Sequence, residues 1–273
     1  METFEDLVYA RPRDRALMLD LYVPTAAAAT VLWVHGGAWM SGTKDDPPLL
    51  GPLADRGFAV ASVSYRLSGE ATFPAQIEDC RAAVRYLRAN GDAYGVPTSS
   101  IGAWGASAGG HLVALLGLAA HVSAFDVGDH LDQSVEVQAV CDWFGPTDFL
   151  QMDANAVEDT IIVHDGPDSP ESRLVGGPIQ AHADRVGRAN PITYLGGGDV
   201  PPFLIVHGDR DRLVPCHQSE LLADALAAAG ADAEFVRLEG AGHGGDAFWT
   251  PRETGRVLDF FERHLLPARE RGV

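Results

Sequence analysis

The chain has 273 residues, 46% of them hydrophobic, with a formal charge of -18 and a pI near 4.7. That length and apolar content suffice for a full core, and an α/β fold of this size is commonly one domain. The acidic balance, with no cluster of Lys or Arg to offset it, opposes phosphate backbones and anionic membrane surfaces, so nucleic acid is not an expected partner.

Met1 to Asp6 is acidic, and no basic region followed by an apolar core marks a signal peptide, so the expected location is cytoplasmic. No apolar run approaches a membrane span. Glu5 to Ala10 and Ala16 to Val23 are short strand-like runs around Arg11-Pro12-Arg13-Asp14, which predicts an antiparallel hairpin. Ala26 to Ala29 reads as a surface loop. Beyond it, continuous apolar runs at Thr30 to Val34, Phe58 to Val63, Ile101 to Trp104, Val137 to Phe144 and Phe203 to Val206 have the character of strands covered on both faces. Glu234 to Leu238 is strand-like too. Helical patterns occupy Pro74 to Asn90, His111 to His121, Cys216 to Ala229 and Arg252 to Leu265. The predicted fold class is therefore α/β: a mostly parallel sheet with antiparallel N-terminal strands and helices on both faces.

The stretch from about 145 to 202 breaks this rhythm with Pro, Gly and Asp, and reads as a cap inserted over the sheet's C-terminal edge within a single domain spanning 1–273. Ser169-Pro170-Glu171 gives an N-cap, a proline at the first helical position and an acidic first turn, so a short cap helix is expected there. Cys80, Cys141 and Cys216 are widely spaced without a C-x-x-C pair and read as reduced, partly buried thiols.

Chemistry first shows at His35-Gly36-Gly37-Ala38-Trp39, directly after a predicted strand. It matches a His-Gly-Gly-x loop that offers backbone N–H groups to an oxyanion, with Gly36 and Gly37 as the expected donors and His35 holding the loop's shape. Gly105-Ala106-Ser107-Ala108-Gly109 lies between a predicted strand and a predicted helix. Composition alone yields such a Gly-x-Ser-x-Gly pattern roughly 0.1 to 0.2 times per chain like this, so the setting decides: it is that of a nucleophile elbow. The turn is tight enough that side chains two residues either side of the serine would collide with the strand and helix. Ser107 is the candidate nucleophile, and Ala108 the candidate further oxyanion donor.

A serine hydroxyl needs an imidazole to take its proton, and the imidazole needs a carboxylate. His207-Gly208-Asp209-Arg210-Asp211 follows a predicted strand and offers Asp209 and Asp211 as acids. His243, in the glycine-rich Gly240-Ala241-Gly242-His243-Gly244, is the expected base by order and spacing, while His111, His121, His130, His164, His182 and His207 have plainer readings. Trp39, Trp143 and Phe144 follow strand ends on the expected side and are candidates to line a substrate pocket. Tyr65 and Arg66 also follow a strand, but read as loop structure. There is no metal-ligand spacing and no dinucleotide signature, and Gly196-Gly197-Gly198 reads as a surface turn, so no cofactor is expected.

These motifs together resemble the α/β-hydrolases, and within them the carboxylesterase branch, over about Tyr22 to Leu266. Asp142 to Asp148, Asp168 to Ser172 and Pro202 to Gln218 are similar to bacterial esterases related to acetyl-xylan and feruloyl esterases. The loop His-Gly-x-x-Asp-x-x-Val-Pro resembles the carboxylesterase acid loop and so assigns Asp211, leaving Asp209 to brace the loop. The resemblance implies hydrolysis of short-chain or small aromatic acyl esters, including acylated carbohydrates, through an acyl-serine. A small-molecule ester is then the expected partner, and a homodimer is compatible with the sequence. Ala38 stands where hormone-sensitive-lipase-like esterases often have a third glycine, and His-Gly-Gly-x-Trp also resembles kynurenine formamidases. The alternatives are thus an activated-amide hydrolase and, in another class, a non-catalytic binding protein of the same fold.

Overall fold

The computed structural model describes residues 1–45 and 47–267. Its sheet has eight strands: β1 Glu2–Ala10, β2 Leu17–Val23, β3 Ala29–Val34, β4 Phe58–Val63, β5 Ile101–Ala106, β6 Ala139–Trp143, β7 Phe203–Gly208 and β8 Ala233–Leu238. Their order is β1-β2-β4-β3-β5-β6-β7-β8. β1 pairs antiparallel with β2, and β2 with β4, while all later pairs are parallel. The expected α/β architecture, with its antiparallel start, is what the chain adopts. Ala26 to Ala28 form the expected loop between β2 and β3, and only Ala29, the last residue of the run, enters the sheet.

Alternation along each strand separates two cores. Leu32, Val34, Ala59, Ala61, Ile101, Ala103, Val140 and Ile205 face one side. There they meet α2 (Ala75–Asn90), α3 (Ala108–Leu118) and α6 (His217–Ala228) through residues such as Ile77, Val84, Leu112, Leu116 and Leu222. Val31, Trp33, Phe58, Val60, Trp104, Cys141 and Leu204 face the other side, against α1 (Leu50–Asp55) and α7 (Pro251–Leu265) through Leu53, Val257 and Phe261. Helix α1 went unpredicted because its six residues are too few to show a helical period.

Between β6 and β7 the chain contributes no strand to the sheet. It forms short turns of 3-10 helix and two short α-helices, α4 (Pro170–Val175) and α5 (Ala183–Ala189). α4 starts where the sequence signals it: Pro170 opens the first turn, and Ser172 N–H donates to Ser169 Oγ at 3.1 Å. The three cysteines are free thiols, Cys80 and Cys141 fully buried and Cys216 partly so. Among the described residues no helix is long and apolar enough to cross a membrane.

The strand order also dictates where a site can form. From β3 the chain steps outward to β4, then crosses back over β3 to β5 and continues in the opposite direction, so the loops after β3 and β5 diverge at the sheet's C-terminal edge. Such a switch point leaves a crevice between adjacent loops.

Candidate active site

Ser107 sits at that crevice, between the last residue of β5 and the first of α3, with φ 57° and ψ -121°. A non-glycine residue there is strained and is held by its surroundings: Ser107 N–H donates to Trp143 O at 2.8 Å, and His111 N–H donates to Ser107 O at 3.1 Å. The flanking glycines answer to close approach. A Cβ on Gly105 would lie 2.3 Å from Gly109 C, and one on Gly109 would lie 2.0 Å from Val34 O on β3. Both values are far below any real contact, so strand, turn and helix pack this closely only with glycine at both positions.

The His35 to Ser41 loop runs alongside. A Cβ on Gly36 would meet Ala106 O at 2.8 Å and Ser107 Cβ at 3.3 Å, so this loop lies directly against the elbow. Gly37, Ala38 and Trp39 all have positive φ, and Met40 and Ser41 N–H both donate to Gly37 O, making a tight reversal. None of the loop and turn hydrogen bonds among the described residues is donated by the N–H of Gly36, Gly37 or Ala108. His35 supports the loop as expected, with Nδ1 2.7 Å from Gly36 O. Tyr65, read from sequence only as loop structure, stacks on the His35 ring at 4.4 Å and donates its hydroxyl to His35 O at 3.0 Å. Arg66 is a brace, forking onto Asp79.

Across the crevice, His243 Nε2 lies 2.9 Å from Ser107 Oγ, and His243 Nδ1 lies 2.6 Å from Asp211 Oδ2. The three candidates, separated by 136 and 32 residues, thus form one hydrogen-bonded chain. Asp211 is buried, and its Oδ1 accepts from the N–H groups of Leu213 and Val214 at 2.8 and 2.9 Å. Burial alone would raise the Asp211 carboxyl, but the bonds and charge of His207 and His243 outweigh it and hold the pKa well below the usual carboxylate range. Asp209 takes the other part: its Oδ1 accepts from Gly240 N–H at 2.7 Å and ties the acid loop to the base loop.

The cavity over Ser107 has a volume of about 70 Å³, and Trp39, Ala108, Pro146, Ile162, Leu213 and Val214 supply its apolar wall. Trp39 therefore lies on the cavity wall. Trp143 does not: as an odd-numbered residue of β6 its side chain points to the α7 face, packed against Trp104, Phe248 and Trp249 at 5.0, 5.2 and 4.9 Å. Phe144 also stays off the cavity wall, its ring packing instead at 4.6 Å from that of His243. Sequence reasoning missed two residues that do reach the cavity, His164 and Glu171. By position His164 is one of several histidines with plainer readings, and Glu171 reads as an acid in the first turn of a helix. It also missed the second histidine on Asp211, His207 Nε2 at 3.1 Å, which its position at a strand end did not advertise.

A model of the BD-FAE family matches residues 19–226. The chain belongs to the BD-FAE family. Among proteins similar to this BD-FAE member is the esterase LipC of Mycobacterium tuberculosis, 32% identical over 85% of this chain and 58% of LipC. The chain spans 46% to 58% of the length of LipC, LipQ and LipM, all of Mycobacterium tuberculosis. Among solved structures, a truncated carbohydrate esterase from gut microbiota superposes with a TM-score of 0.86 at 32% identity, covering 96% of both chains. The butyrate-bound esterase Est2 of Thermogutta terrifontis superposes with a TM-score of 0.77 at 25% identity, covering 97% of this chain and 96% of its own. The fold is that of the α/β-hydrolases.

Proposed function

We propose that this BD-FAE member is a serine carboxylesterase that hydrolyses short-chain acyl esters through an acyl-serine intermediate. The observation that carries the reading is the unbroken chain from Ser107 Oγ through His243 to Asp211 Oδ2, at 2.9 and 2.6 Å, opening on a cavity of about 70 Å³. The esterase names of LipC and Est2 support it.

In this mechanism the Ser107 hydroxyl gives its proton to His243 Nε2 as Oγ attacks the ester carbonyl. Asp211 accepts His243 Nδ1–H, which fixes the tautomer that leaves Nε2 free to receive the proton, and its negative charge stabilises the imidazolium. The oxyanion is met by N–H groups of Gly36, Gly37 and Ala108, which no loop or turn bond among the described residues engages. His243 then protonates the departing alkoxide, and a water activated by the same nitrogen releases the acid.

The small cavity argues for acetyl to butyryl chains over long ones, and the similarity to a carbohydrate esterase makes acylated carbohydrates the first natural substrates to try. The test is kcat/KM across p-nitrophenyl acetate, butyrate, octanoate and palmitate, with fluorophosphonate labelling of Ser107. A steady rise toward palmitate, or no label on a folded protein, would reject the reading.

A further inference from the structure

One group in the cavity wall is not used by the chemistry above. Glu171, the second residue of α4, is 3% exposed and lines the same cavity as Ser107 and His243. Its Oε1 lies 3.0 Å from His164 Nδ1, while its Oε2 is buried with no hydrogen-bond partner among the described residues. A buried carboxylate oxygen is seldom left so in a native protein, and each such group calls for an account.

His164 fixes the charge of the pair. Its Nε2 is 2.9 Å from the Leu213 carbonyl oxygen, which can only accept, so Nε2 carries a proton. The contact between Nδ1 and Oε1 then holds one further proton, and whichever partner carries it, the pair is neutral overall. Burial by itself would lower the His164 pKa, but the bond to Glu171 raises it above the ordinary value. Because the pair is neutral overall, Glu171 calls for a neutral hydrogen-bond donor on the ligand rather than a cation. The cavity also contains Trp39, whose buried indole Nε1–H lacks a partner among the described residues. A hydroxyl both donates and accepts, and so suits an unpaired acceptor and an unpaired donor together. An alkyl group offers neither.

We propose that Glu171, held in place by His164, is a specificity-determining residue whose Oε2 accepts a hydrogen bond from a hydroxyl group of the ester substrate. The inference rests on the esterase reading and narrows it to hydroxyl-bearing esters. A site built to bond a substrate hydroxyl discriminates against the analogue that lacks it, because its own polar group is then left unpaired.

The experiment compares kcat/KM within two matched pairs. 2-Hydroxyethyl acetate against propyl acetate puts the hydroxyl on the alcohol side, and methyl glycolate against methyl propanoate puts it on the acyl side. The wild-type protein should favour the hydroxylated member of at least one pair by roughly tenfold or more. Glu171→Met, chosen because a glutamine oxygen would remain an acceptor, should bring that preference to within about twofold. No preference in the wild type, or one that survives Glu171→Met, overturns the proposal. Should that variant not fold, the double variant His164→Leu/Glu171→Met, which removes both members of the buried pair, makes the same comparison. p-Nitrophenyl acetate separates the two levels: turnover of it without discrimination sinks only the role of Glu171, whereas no turnover removes the esterase reading and this proposal with it.

Discussion

His207 donates from Nε2 to Asp211 Oδ2 at 3.1 Å, so the oxygen that receives His243 is held from behind by a second imidazole. The tautomer follows from its other neighbours. Nε2 also faces Val214 O at 3.0 Å and must carry the proton, while Nδ1 can accept from Ser219 Oγ at 2.7 Å. The residue is fully buried and joins the end of β7, the acid loop and α6. Replacing it by alanine should leave Asp211 aimed by backbone N–H groups alone and orphan the Val214 carbonyl. We expect kcat to fall roughly tenfold and stability by about 2 to 3 kcal/mol. Ester kinetics beside urea unfolding check both, and an unchanged kcat would reduce His207 to a packing residue.

The strained turn at Ser107 makes a second prediction. With φ at 57°, any side chain at this position is held in a region that costs of order 1 to 3 kcal/mol, and only glycine escapes that cost. Ser107→Ala and Ser107→Gly should both lose activity by about a thousandfold or more, since both lack Oγ. They should differ in stability, with the glycine variant roughly 1 kcal/mol above the alanine variant after the extra freedom of its unfolded chain is counted. Equal unfolding midpoints would show that the elbow stores no strain at this residue.

What the sequence carried, and what it did not, follows from the range of each signal. The strands of the parallel sheet were legible because both faces are buried, leaving unbroken apolar runs such as Phe58 to Val63. Ser107 and the His35 loop were legible because close backbone approach forces glycines at fixed offsets. Trp143 was misread because one residue of register decides which face a strand-end side chain takes, and that register is set by pairing with β5 and β7. His164 and Glu171 were opaque for another reason. They meet at 3.0 Å, His164 from irregular chain and Glu171 from a helix of six residues, and no periodicity connects such segments to the cavity.

The two candidate acids can be separated directly. Asp211 Oδ2 sits 2.6 Å from His243 Nδ1, whereas Asp209 Oδ1 accepts from Gly240 N–H at the base of the loop. Asp211→Asn removes the charge that stabilises the imidazolium and sets an N–H donor within reach of two imidazole N–H groups, so kcat should fall by about 10³ to 10⁴. Asp209→Asn keeps an oxygen for Gly240 and should cost less than about tenfold. Parallel kinetics on the folded variants decide it, and the opposite ranking would transfer the role to Asp209.

Asp142 gives a prediction in pH. Its carboxyl is fully buried beside Gly110 and Gly145, and burial pushes its pKa up to about 7 although Oδ1 accepts from Gly145 N–H at 2.9 Å. Below the ordinary carboxylate pKa of about 4, folded and unfolded chains both hold the proton and the group leaves stability unchanged with pH. Between about 4 and about 7 the unfolded chain ionises while the folded one does not, and each pH unit removes about 1.4 kcal/mol of stability. Above 7 both states are ionised and the loss levels off at an order of 4 kcal/mol. Asn at this position can still accept from Gly145 and does not ionise. The stability of Asp142→Asn relative to wild type should therefore improve steadily from pH 4 to 7 and stay level from 7 to 8.5, as read by urea unfolding at fixed ionic strength. A difference that is flat across the whole range, or that shrinks toward pH 7, would mean that Asp142 is charged in the folded protein and has a partner that stabilises that charge.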